Sequence, residues 1–141
     1  MESIESKQGI IEANGESVYN FLKDLRNLDK LIPPDKVQNW ESTENSCSFS
    51  IPGAGDITLK ITDREAKKLI KVEPVGAGPM GMDFALFIQM MEIDESDTRI
   101  KLTFRAEMNM MIKSMLAGPL KKGLDQIVDT VGNIPIGGTN Q

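Results

Sequence analysis

Between Arg99 and Met110 the chain alternates without a break. The even positions carry Ile100, Leu102, Phe104, Ala106, Met108 and Met110, and the odd positions carry Arg99, Lys101, Thr103, Arg105, Glu107 and Asn109. Period-two alternation assigns one face to water and the other to a core, so this stretch predicts a long half-buried strand. The period then lengthens. Leu116, Leu120, Leu124, Ile127, Val128 and Val131 recur three and four residues apart, the stripe of an amphipathic helix. Together with the apolar stretch that opens at Met82, residues 82–131 predict two neighbouring strands feeding one long helix. That helix is expected to lie across the apolar face of a curved sheet.

The preceding residues supply the rest of the sheet. Residues 3–13 predict a first strand with Ile4, Ile10 and Ile11 as its apolar members, and Gly9 marks a bulge or bend. Asn14 is placed to cap a helix, with Glu16 in its first turn and Val18, Phe21, Leu22 and Leu25 along its apolar face. A second short helix over Asn27–Ile32 buries Leu28, Leu31 and Ile32, and Pro33-Pro34 ends it. A meander follows: a strand at 37–41, a polar turn at 43–46, then Cys47, Phe49 and Ile51 alternating with serines. After a turn at 52–55, Ile57, Leu59 and Ile61 alternate with Thr58, Lys60 and Thr62. Connections this short imply antiparallel neighbours. Residues 69–75 make a further strand with Ile70 and Val72 inward, Gly76–Gly81 leads to the Met82 strand, and 94–97 is the last turn.

The fold class that results is α+β. A seven-stranded antiparallel sheet curves around a long C-terminal helix, with two short helices between strands 1 and 2. Residues 1–134 are expected to form one domain and residues 135–141 a flexible tail. A sheet that curls around a helix without closing leaves a space between them, and such mouths are preferred ligand sites.

Composition narrows the chemistry. The length of 141 residues fits a single core, and the 40% hydrophobic and 26% charged fractions suit an ordinary globule. A net charge of −5 with dispersed Lys and Arg argues against nucleic acid as a partner. The charged N-terminus reads as no secretory signal, no apolar run suits membrane insertion, and a cytoplasmic location is the expectation. Cys47 is the only cysteine and there is no histidine. A Ser-His-Asp or Cys-His arrangement is therefore excluded, as is a zinc site of the usual ligands. Neither a metal nor a cofactor is expected.

The segments Ile11-Glu12-Ala13-Asn14 into Val18–Asp24, Leu31-Ile32-Pro33, Trp40-Glu41, Phe49–Gly55, Thr98-Arg99-Ile100 and Gly118-Pro119-Leu120 are together similar to the START-like superfamily, also called SRPBCC or the helix-grip fold. The resemblance spans nearly the whole chain through diffuse motifs. It implies a hydrophobic cavity between sheet and helix, and members that bind lipids, sterols, polyketides or quinones. Other members act as polyketide cyclases or dehydratases, or as co-chaperones. Fold alone does not choose among these roles.

The leading expectation is a binding protein for an apolar small molecule: a lipid, quinone, sterol-like or polyketide-like ligand. Strand parity and helix face nominate Leu28, Leu31, Phe49, Leu59, Val72, Phe84, Leu86, Leu102, Phe104, Met108, Met111 and Leu120 as its lining. The alternatives are a cyclase-like enzyme working mainly by positioning, and a protein-interaction domain. No catalytic residue is nominated. Glu92 is the nearest inward acid, expected to be solvent-exposed, and Tyr19 and Asn109 are the polar groups nearest a rim. Gly76-Ala77-Gly78-Pro79-Met80-Gly81 matches G-x-G-x-x-G, but a strand follows it and Pro79 lacks an N–H, so a pocket-rim loop fits better than a nucleotide site. The methionines at 108, 110, 111 and 115, with those at 80, 82, 90 and 91, either fill a core or line an adaptable pocket. Trp40 is read as a core indole with a satisfied N–H, or a stacking group at the cavity mouth, and Cys47 as a small apolar core residue. Ala85, Phe87, Met91 and Ile93 on the outward side of their strand suggest weak homodimerisation.

Overall fold

A computed structural model of the chain describes residues 2–31, 38–51, 55–76 and 83–134. The strands are β1 (Glu2–Glu5), β2 (Gly9–Ile11), β3 (Gln38–Ser42), β4 (Ser46–Ile51), β5 (Gly55–Glu65), β6 (Leu69–Pro74), β7 (Phe84–Asp94) and β8 (Asp97–Ala106). Helix α1 (Gly15–Leu22) and a 3₁₀ helix (Leu25–Lys30) separate β2 from β3, and α2 (Met110–Gly132) follows β8. All pairings are antiparallel. The strands from β3 to β8 form one continuous meander, and β1 and β2 return to pair with β8. The fold is α+β, an open, curved antiparallel sheet with a long C-terminal helix.

Among the described residues eight strands stand where seven were expected, because the first is broken. Glu5 pairs with Thr103, but Gly9 pairs with Ile100, so one extra residue is accommodated between them. That insertion reverses the side-chain parity. Ile4 and Ser6 point inward before the break, and Ile11 and Ala13 after it. Ile10, expected among the apolar members, is therefore turned outward and 54% exposed. Ser6 makes the irregularity tolerable: its N–H donates to the Leu102 carbonyl (2.8 Å), and its hydroxyl accepts from the Leu102 N–H (2.9 Å) and donates to the Lys7 carbonyl (2.7 Å).

The helices begin where their caps demand. Asn14 Oδ1 accepts from the Ser17 N–H (2.8 Å) and Asn109 Oδ1 from the Ile112 N–H (2.8 Å). The Glu92 carboxylate, on neighbouring β7, accepts from the Gly15 N–H (2.6 Å) at the positive end of α1. The second short helix is a 3₁₀ turn starting at Leu25 rather than Asn27, because Asp24 Oδ1 accepts the Arg26 N–H (3.0 Å) and sets the start there. Likewise β8 ends at Ala106, not Met110: the Asn109 cap converts Met110 into the first helical residue and leaves it 85% exposed. Pro119 lies inside α2.

One core joins these elements. Ile70, Val72, Ile88, Ile100 and Leu102 from the sheet meet Val18 and Leu22 from α1 and Leu124, Val128 and Val131 from α2. Helix α2 packs chiefly on β1, β2 and β8, at one side of the sheet. Its C-terminal half is clamped at the β1–β2 break. Asp125 Oδ1 accepts from the Lys7 N–H (2.6 Å), and Lys7 Nζ pairs with Asp129 (2.6 Å). The expectations placed on Ile32, Pro33-Pro34, Val37, Pro52–Ala54, Ala77–Met82 and the 135–141 tail lie outside the described residues.

Candidate functional site

The inner face of the sheet and the helices above it enclose a cavity of about 80 Å³. Its sheet side is built by strand parity. Cys47 and Leu59 are cross-strand partners, as are Val72 and Leu86, and Ile88 and Leu102; Phe49 and Ile100 complete that surface. Trp40 closes it from β3 and stacks on Phe49 with ring centroids 5.4 Å apart. Leu22 of α1, Leu28 and Leu31 of the 3₁₀ turn, and Ile127 and Val131 of α2 lie opposite.

Among the described residues no charged side chain lines this space. The one nitrogen donor, the Trp40 indole N–H, is already used: it donates to Ser42 Oγ (3.2 Å). Burial pushes the Cys47 thiol up to about 11, so it stays protonated and unreactive at neutral pH. The carboxyls held below their usual range are elsewhere on the surface. Asp24 is lowered by its bond from Arg26, Asp97 by Arg99, and Asp125 by the Lys7 N–H and Lys121. The described residues contain no cluster of three His, Cys, Asp or Glu side chains able to hold a metal ion. What the cavity can do chemically is remove apolar surface from water.

Seven of the nominated lining residues meet around it: Leu28, Leu31, Phe49, Leu59, Val72, Leu86 and Leu102. The other five do not. Phe84 and Phe104 face each other across β7 and β8, rings stacked at 5.0 Å, and the space does not reach them. Met108 packs half-buried against the core after β8 has ended, and Leu120 is half-buried on α2. Met111 is 72% exposed, because the helix begins before it and turns it to solvent. None of the described methionines lines the cavity: Met90 is buried elsewhere in the core, and Met91, Met110, Met111 and Met115 are exposed.

Leu22, Cys47, Ile88, Ile100, Ile127 and Val131 complete the lining without having been nominated, together with Trp40, which was read as a core indole or a stacking group at the cavity mouth. Parity had already turned Cys47 and Ile100 inward, and Ile127 and Val131 stood on the predicted apolar stripe, so the signal for those four was present. Glu92 is exposed at its strand end as expected. Asn109 is spent on capping α2, and Tyr19 lies half-buried with the Lys23 ammonium 5.7 Å from its ring centroid.

Two dimensions decide what fits. A cavity of about 80 Å³ exceeds the roughly 30 Å³ share of one water but falls short of the roughly 300 Å³ typical of ligand pockets. It accommodates a short apolar fragment as it stands. Gly123 lies one turn before Ile127 on α2, and a Cβ built there meets no side chain and no atom of another element within 4 Å.

No family model matches the chain, and no curated protein matches it by sequence. Solved structures do match. A START superfamily protein from Mycobacterium smegmatis superposes with a TM-score of 0.69 at 7% identity, over 92% of this chain and 94% of its own. A conserved protein from Geobacillus kaustophilus gives 0.68 at 17% identity, over 92% and 91%. Truncated norcoclaurine synthase from Thalictrum flavum gives 0.68 at 14% identity, over 94% of both. At these identities the likeness is one of fold, and the fold is START-like, of the SRPBCC or helix-grip kind.

Proposed function

We propose that this chain is a binding protein for a hydrophobic small molecule, held between the sheet and α2. The observation that carries the reading is the lining: fourteen described residues converge from all layers of the fold with no charge among them. The void is also costly. At about 24 cal/mol per Å³, an empty space of 80 Å³ forgoes about 2 kcal/mol relative to a filled core. A stability-driven core would close it with one larger side chain. The START-like fold supports the same reading, since it is the fold for which an apolar ligand between sheet and helix is expected. A guest of lipid or quinone size requires the space to enlarge.

A catalytic reading draws on the likeness to norcoclaurine synthase, an enzyme on the same fold. It needs an acid or base beside the guest. The described lining provides only a protonated thiol and an engaged indole, which favours a carrier over an enzyme.

The test is a titration of the full chain with the dye 1-anilinonaphthalene-8-sulfonate, followed by displacement with fatty acids and a short-chain quinone. Leu86→Trp and Leu59→Phe add volume from half-buried positions on the lining, where the sheet can yield. Saturable dye binding to the parent, weakened about tenfold or more in folded filled variants, is expected; tenfold is about 1.4 kcal/mol of lost apolar contact. Equal affinity in parent and filled variants would overturn the proposal.

A further inference from the structure

The two halves of α2 differ in anchoring, in helix-breaking residues and in charge. After Leu124 the helix is anchored: Leu124, Val128 and Val131 are buried, and Asp125 and Asp129 are bonded to Lys7. Before it the chain gives up stability repeatedly. Gly118 and Gly123 are poor helix formers, and Pro119 withdraws a backbone N–H. The first turn carries no acidic residue, although acids are what that end of a helix favours. From Asn109 to Leu124 there are three lysines and no acid, in a chain whose net charge is −5. On this half Met110, Met111 and Met115 are 85%, 72% and 64% exposed. At 100° per residue, Met111, Met115 and Lys122 fall on one outward line, opposite the side that carries Ile127 to the cavity.

Local rules broken together in one segment mark a place shaped by something other than folding. Large flexible apolar side chains flanked by lysines, on an acid-free stretch of an anionic protein, have the composition of a helix face that settles onto an anionic lipid surface. A protein partner would equally cover methionines, but the charge segregation favours the membrane. The acidic remainder of the chain would be repelled by anionic headgroups, and the Asn109–Leu124 stretch, with three lysines and no acid, would not.

We infer that the N-terminal half of α2, through Met111, Met115 and Lys122, docks peripherally on anionic lipid bilayers. The docking does not depend on the proposed carrier role; it supplies the route by which an apolar guest would reach the cavity. No helix among the described residues is long and apolar enough to cross a membrane, and the proposal requires none.

The experiment is flotation of the full chain with vesicles of phosphatidylcholine alone and of phosphatidylcholine containing phosphatidylglycerol. Binding is expected to the anionic vesicles, to weaken as salt rises, and to fall at least about tenfold in Met111→Glu/Met115→Glu. Lys122→Gln is expected to weaken it about fivefold, the worth of one lysine near an anionic surface. Met111→Ser/Met115→Ser removes the apolar contact without adding charge and is expected to weaken binding in the same direction. All these positions are exposed, and melting curves report whether each variant is folded. Failure to float, equal binding to neutral vesicles, indifference to the methionine variants, or self-association that accounts for the patch without vesicles would each overturn the inference. Dye titration of the same variants keeps the two proposals apart: lost vesicle binding with retained dye binding supports both, while vesicle binding without any saturable dye site sinks the carrier reading alone.

Discussion

The Gly9→Ala substitution isolates the contact that holds α2 to the sheet. A Cβ at position 9 would fall well inside van der Waals distance of Val128 Cγ1 and 3.1 Å from Ile100 Cγ2. Val128 cannot step aside. It is 1% exposed, and a β-branched side chain in a helix keeps essentially one rotamer. Ile100 is equally buried, so the helix itself must move. Overpacking of this kind costs about 1–3 kcal/mol, offset by about 0.4–1 kcal/mol because alanine restrains the unfolded chain. The net loss is about 1–2 kcal/mol. With an unfolding entropy of about 2.1 cal/mol/K per residue, a chain of this length has about 0.3 kcal/mol/K, so the melting temperature falls by about 3–7 °C. Gly123→Ala makes the same chemical change where nothing lies within 4 Å. There only helix propensity changes, by about 0.8–1 kcal/mol in favour of alanine, a rise of about 3 °C. Thermal and urea unfolding followed by circular dichroism measure both, with an unchanged urea slope confirming that stability and not denatured-state compactness has changed. A Gly9→Ala protein that melts at or above the parent would refute the close packing of α2 on β2. A lowered melting point for Gly123→Ala would refute the open space beside that turn.

Cys47 should react with Ellman's reagent far more slowly in the native chain than in urea at pH 8, since its thiolate is suppressed and its side chain is 1% exposed. Its folded value of about 11 lies above the ordinary 9.0, so the unfolded chain ionises first. That contribution to stability is whole below pH 9 and is lost as pH rises toward 11, and Cys47→Ala should remove that part of the alkaline decline seen in urea melts. Asn109→Ala should cost about 1 kcal/mol by uncapping α2, and an unchanged melting point would count against the cap. Thr98→Val keeps the shape of a fully buried side chain but removes the hydroxyl that donates to the Ala13 carbonyl at 2.7 Å. A loss of about 1–3 kcal/mol by urea titration is expected, from an acceptor left unpaired.

Much of the fold was legible because its signals are local. The alternation through Ile57, Leu59 and Ile61, the Asn14 cap, and the helical stripe ending at Val131 each report on themselves. What escaped was decided between elements. Gly9 signalled a bulge or bend in the first strand, but the parity reversal depends on Ser6 substituting its hydroxyl in the ladder to Leu102, and an isolated strand contains no sign of that contact. The end of β8 turned on a choice between alternation and capping: Met108 and Met110 continue the period-two pattern, but the Asn109 cap stabilises a helix start and wins. That single boundary moved Met111 from the expected lining to solvent. The cavity itself was half legible for the same reason. Parity identifies which side chains point inward, as for Val72 and Leu86, but not which of them touch one another and which border a gap. Phe84 and Phe104 point inward correctly and then spend their faces on each other.

The gap and the weak half of α2 belong to one physical problem. A preformed pocket large enough for a lipid would cost several times the stability that the present space forgoes, since that loss scales with volume. Marginal domains have about 5–15 kcal/mol in total. On the proposed carrier reading, a small void under a helix weakened by two glycines and a proline would let a larger volume exist only when a guest fills it. The clamp between Lys7 and the Asp125 and Asp129 carboxylates then has a definite task. It ties the C-terminal half of α2 to the sheet, and on the proposed reading yielding would be confined to the half that carries the exposed methionines. A chain in which Lys7→Met loosened that clamp would lose the distinction between the halves. On this argument it should weaken dye binding at a site it does not line, because the wall against which the guest is held would no longer be rigid. Unaltered dye affinity in a folded Lys7→Met protein would separate the void from the helix and leave the two features without a common cause.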